Sequence, residues 1–146
     1  MTQPPAERPR TSGPGRTLIV FYFIMTIAAL FRSVYQMATD LPAAPLAIVL
    51  SFVSGVIYLV ATIGLVRPGR TAYRIAFAAI VFELVGVLVV GALSLVLPAV
   101  FPFEYTVWWG FGLGYLLIPL ALPVLGLLFL RSQRAVFATP AGAKAA

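Results

Sequence analysis

Two residues carry charge where the chain is otherwise apolar: Arg32, in "FRSVYQMATD", and Glu83, in "AIVFELVGV". Each stands inside a run long enough to cross lipid, where an unpartnered charge at the bilayer centre costs at least about 2.5–3.5 kcal/mol. An arginine and a carboxylate so placed can neutralise one another, or bind a proton, a cation or an anionic headgroup. Snorkelling of Arg32 to the nearer surface is disfavoured. Its helix runs from inside to outside, and helical side chains lean toward the N-terminus, which aims the guanidinium inward. Counted from the inner ends of their spans, Arg32 and Glu83 lie about 22 and 20 Å along at 1.5 Å per residue. Helices one and three run parallel, so a charge-assisted pair between Arg32 and Glu83 is expected. It would fix helix register or form a functional site. In a third case, one of the two charges meets a residue of another protein.

The elements that must position this pair are apolar runs of roughly 20 residues, the length of helix that crosses about 30 Å of hydrocarbon. Four are present, over residues 17–39, 45–66, 70–97 and 109–130. Pro45 sits in the first turn of the second, where a missing N–H is harmless. Pro119 and Pro123 in the fourth predict a kink. The fold class is therefore all-α, a bundle of four transmembrane helices over residues 17–131 between short tails, 1–16 and 132–146. The tails are rich in Pro, Gly, Ala and charge and are expected to be disordered.

Helical spacing groups the remaining polar residues into faces. Arg32, Tyr35, Gln36 and Thr39 recur at i, i+3, i+4 and i+7 on the first span. Ser51, Ser54, Gly55, Tyr58 and Thr62 form a stripe on the second, and Ser94 ends a face of Ala76, Ala79, Glu83, Gly86 and Val90 on the third. The fourth offers Gly110, Gly114 and Tyr115. Small and hydroxyl residues of this kind are what helix contacts in lipid use, so packing is the expected role of these stripes.

Composition excludes much. The chain is 62% hydrophobic and 10% charged, with no Cys and no His. That removes disulfides, thiolate or imidazole metal sites, histidine-ligated haem and every nucleophile that needs a histidine base. Asp40 and Glu104 stand near the outer surface, but their spacing recommends no metal site and no acid–base pair. No cofactor, no metal and no enzymatic activity are expected. The net charge of +6 reflects arginines beside the spans and no nucleic-acid partner. The glycines of "GFGLG" open a span and follow no strand, which removes a phosphate loop. No internal repeat supports an inverted-repeat transporter.

Arg8, Arg10, Arg16, Arg67, Arg70, Arg74, Arg131, Arg134 and Lys144 flank one side of the spans, and the other two loops have no Arg or Lys. The positive-inside rule then predicts both termini in the cytoplasm and a multi-pass protein of the cell membrane. The third loop holds Phe101, Phe103, Tyr105, Trp108 and Trp109, read as an aromatic belt in the outer headgroup layer.

The stretches "FRSVYQMAT", "APLAIVLSFVSGVIYLVATIGL" and "TVWWGFGLGYLLIPLALPVLGLLFLR" together resemble small four-span integral membrane proteins of actinobacteria of unassigned function. The resemblance is one of general pattern over residues 17–131, and it implies a plasma-membrane protein without implying chemistry. Small multidrug transporters are also similar in having four short spans and one membrane glutamate. Their essential glutamate lies in the first span, however, whereas Glu83 is in the third. The expected function is a non-enzymatic accessory protein that binds another membrane protein or lipid; the alternative is a small, proton-coupled carrier acting as a homo-oligomer.

Overall fold

The computed structural model describes residues 13–134. The expected disorder of the tails concerns mainly residues 1–12 and 135–146, which lie outside the described residues. Every regular element among the described residues is helical: α1 (Pro14–Thr39), α2 (Pro45–Val66), α3 (Arg70–Val96) and α4 (Ile118–Ser132), with two short 3-10 turns, Trp109–Phe111 and Leu113–Tyr115, ahead of α4. The first helix starts three residues earlier than hydropathy placed it, because Pro14 and Gly15 can occupy a first turn whose N–H groups need no helical partner.

At 1.5 Å per residue, α1, α2 and α3 are about 39, 33 and 40 Å long, enough to cross a bilayer, while α4 is only about 22 Å. The expected kinked fourth span over 109–130 is broken rather than merely kinked, and counts as a fourth span only if its two bent parts are taken together. Trp109–Tyr115 and Ile118–Ser132 meet at a bend of 99°. The break precedes both prolines rather than falling at Pro123. Gly110 and Gly112 adopt positive φ, and Phe111, Leu116 and Leu117 follow them into the left-handed region at φ 64°, 55° and 60°. Pro119 then stands in the first turn of α4, where its missing N–H has no helical partner to lose. Each non-glycine residue in that conformation costs about 1–2 kcal/mol, so packing elsewhere in the segment must hold it.

The helices form a ring in chain order. α2 packs between α1 and α3, α4 packs on α3, and the contact between α1 and α4 is thin. Both ends of the described segment, residues 13 and 134, therefore lie at one end of the bundle, and the 40–44 turn lies at the other, here called the distal end. Leu18, Tyr22, Met25, Ala29, Tyr58, Ala61, Ala76, Ile80, Val87, Leu122 and Leu130 are buried between the helices. Small residues permit this packing: a Cβ on Gly55 would come within 2.8 Å of Leu30, and one on Gly64 within 2.9 Å of Ala76. The outward surface carries Phe23, Phe31, Val85, Leu95 and Leu125 among many large apolar side chains, as a lipid-facing surface would.

Candidate functional site

The distal third of the interior is filled by the chain itself. Residues 98–117 fold inward over the ends of α1, α2 and α3, and side chains from all three helices hold their backbone. From α1, Arg32 donates through Nη2 to the Glu104 carbonyl and through Nη1 to the Tyr115 hydroxyl at 2.6 Å, and Gln36 Nε2 donates to the same Glu104 carbonyl at 2.7 Å. From α2, Ser51 Oγ donates to the Tyr105 carbonyl at 2.8 Å and accepts from the Val107 N–H at 3.3 Å. From α3, Ser94 Oγ accepts from the Gly110 N–H at 2.9 Å. An irregular segment folded into a bundle must have its backbone groups satisfied by protein, and these four residues satisfy the Glu104 and Tyr105 carbonyls and the Val107 and Gly110 N–H groups.

Two aromatic residues lock the segment against α3. Trp108 is 1% exposed and lies on Gly86, where an added Cβ would stand 2.6 Å from the indole. Phe111 lies on Gly91 in the same way, at 2.6 Å. A side chain on either glycine would occupy the space the ring now fills.

The expected aromatic belt is thus corrected in part. Phe101 and Trp108 are inside the bundle, at 3% and 1% exposure, and Tyr105 is half-buried. Phe103, which is exposed, meets the half-buried Trp109 edge to face at 5.0 Å. Spacing along a loop carries no face information, so the sequence had no means of separating the two groups.

The structure does not bring Arg32 and Glu83 together. Glu83 is fully buried; its Oε2 accepts from the Tyr22 hydroxyl at 2.9 Å, and its Oε1 has no hydrogen-bond partner. Tyr22 and Arg32 are ten residues apart on α1, a rise of about 15 Å. Glu83 lies at the level of Tyr22, so the depths counted from the span ends were misaligned. α1 and α3 also face each other diagonally across the ring, and it is Tyr22 that reaches across to Glu83. Tyr22 was not among the residues singled out by sequence; its place one turn beyond Leu18 and one turn before Thr26 on the buried face was the available signal.

Around Glu83 the structure gathers further polar groups. Tyr58, from α2, is fully buried and lies with its ring centroid 6.2 Å from that of Tyr22, the donor to Glu83. The Tyr58 hydroxyl and Trp108 Nε1 are buried beside each other and have no other hydrogen-bond partner. The site is therefore one carboxyl, two phenols and one indole, contributed by α3, α1, α2 and the folded-in segment.

The other predicted polar residues are divided. Ser51, Ser54, Tyr58, Thr62 and Ser94 are buried, with Ser54 donating to Ser51 and Thr62 to Tyr58 backbone carbonyls at 2.7 Å. On α1 the expected common face splits. Gln36 is 7% exposed and Arg32 is half-buried, whereas Tyr35 is 66% exposed and Thr39 bonds locally to the Tyr35 carbonyl and to Asp40. Tyr115 sits in the second short turn rather than on a span.

No family model, curated protein or solved structure matches this chain.

Proposed function

We propose that the chain is a small multi-pass protein of the cell membrane, with both termini cytoplasmic, acting as a non-enzymatic accessory protein that binds another membrane protein. The observation that carries this reading is where the molecule is filled and where it is open. The distal interior is occupied by Trp108, Phe101 and Val107, all under 4% exposed, which leaves little room for a substrate to pass. Toward the other end, the thin contact between α1 and α4 leaves an apolar groove of about 510 Å³, lined by residues that include Leu18, Phe21, Leu122, Leu125 and Phe129. A lateral, apolar seam between two spans suits the side of a partner helix, and packing is what drives such association in lipid. Arg and Lys on one side of the spans support the orientation.

A photoreactive residue in place of Leu125, activated in intact membranes, tests the proposal. A discrete adduct with one other polypeptide is expected, and it should be absent when the residue replaces Leu88, which is exposed on α3. Lipid adducts alone from both positions would refute a protein partner at this seam. An adduct with the chain itself would favour the homo-oligomer.

One observation favours the carrier as a second reading. Glu83 has no fixed counter-charge from Arg32 and keeps one oxygen without a partner, as a proton site in a carrier would. Uptake or drug resistance that depends on Glu83 would establish it.

A further inference from the structure

Glu83 presents an unusual arrangement for a buried carboxyl. One oxygen accepts from Tyr22 of α1 and the other has no hydrogen-bond partner, while the nearby Tyr58 hydroxyl and Trp108 Nε1 have only each other. Buried polar atoms are almost always satisfied, so a carboxyl oxygen left without a partner at full burial points to a ligand. The ligand must be small, since Glu83, Tyr58 and Tyr22 are fully buried and Trp108 is pressed against Gly86. An organic cation would have to displace the indole, and a metal ion would meet the indole N–H, a donor with no lone pair to offer. A proton needs no volume.

We propose that Glu83 is a reversible proton-binding site in the interior of the bundle. A proton from bulk water forms an O–H bond at Oε1, converting the carboxylate to the acid, and leaves by the reverse step. Tyr22 holds Oε2 throughout. The groups that face Glu83 from the packed elements are Tyr22 on α1, Tyr58 on α2 and the indole of Trp108. The buried side of α4 is Pro119, Leu122, Pro123, Gly126 and Leu130, none of which titrates. The inference is independent of whether the chain is an accessory protein or a carrier.

Infrared difference spectra of the full chain in lipid, taken between alkaline and acid pH, test it. The chain has four Asp and Glu side chains in all, and one protonated-carboxyl C=O component should belong to Glu83. That component should vanish in Glu83→Gln, which keeps an oxygen for Tyr22 to bond. It should also move to higher frequency in Tyr22→Phe, where the C=O loses its donor. The second variant decides the matter if the first fails to fold. A full set of titrating carboxyl bands surviving Glu83→Gln, or none that responds to Tyr22→Phe, would overturn the proposal.

Discussion

The contact between Gly86 and Trp108 offers a perturbation whose size can be worked out. An alanine Cβ at residue 86 would stand 2.6 Å from the indole, against about 3.5–4.0 Å for carbon atoms in ordinary contact. The ring would have to retreat by about 1 Å or more, and it is surrounded on its other sides, being 1% exposed. Gly86→Val adds two further methyl groups to that clash. Overpacking of this kind costs about 1–3 kcal/mol, and valine belongs at the upper end. Valine is a slightly better helix former than glycine, which offsets at most about 0.5 kcal/mol. A net loss of about 2 kcal/mol is expected, a shift of roughly thirtyfold in the folding equilibrium. Denaturation in mixed micelles, followed by tryptophan emission, measures it. Trp108→Ala costs about 3–5 kcal/mol alone, yet in its presence Gly86→Val should cost almost nothing, because the clashing ring is gone. A Gly86→Val protein within about 0.5 kcal/mol of wild type, or additive single effects, would mean that Trp108 does not lie on α3.

Other outcomes follow from the same geometry. Arg32→Leu and Glu83→Leu should be additive within about 0.5 kcal/mol in a double-mutant cycle, since the two side chains have separate partners; a large coupling energy would restore the ion pair. Tyr22→Phe leaves Glu83 Oε2 without its donor and should cost about 1–3 kcal/mol in micelle denaturation, whereas Tyr35→Phe, on an exposed side chain, should be silent. For topology, cysteines replacing Ala43 and Pro102 should react with an impermeant thiol reagent in intact cells, and one replacing Gly69 only after lysis; the native chain has no cysteine to interfere.

What was legible in the sequence follows the physics of each signal. The three long helices are written in runs of apolar residues, because crossing hydrocarbon demands about 20 of them without interruption. The buried stripe of α2 is written in its small and hydroxyl residues at helical spacing. Pairing across the bundle is not written in this way. Arg32 and Glu83 were matched by counting from span ends, a count that assumes aligned helices and adjacent neighbours, and α1 and α3 are neither. The fate of residues 98–117 was hidden for a related reason. Aromatic residues serve equally well at an interface and in a core, and only glycines on another element, Gly86 and Gly91, show which use Trp108 and Phe111 have. Those glycines read as ordinary small residues until their partners are known.

The account depends most on the inward fold of residues 98–117, since it seals the distal interior, sets Trp108 beside Glu83 and engages Arg32. Oxidative cross-linking tests it directly in a chain free of native cysteine. Ser51→Cys combined with Val107→Cys should give an efficient intramolecular disulfide in membranes, because Ser51 Oγ lies 3.3 Å from the Val107 backbone nitrogen. Arg32→Cys combined with Glu83→Cys should give none, these positions being offset along the bundle and diagonal across it. Cross-linking of the second pair, or failure of the first under conditions that oxidise an exposed control, would contradict the account.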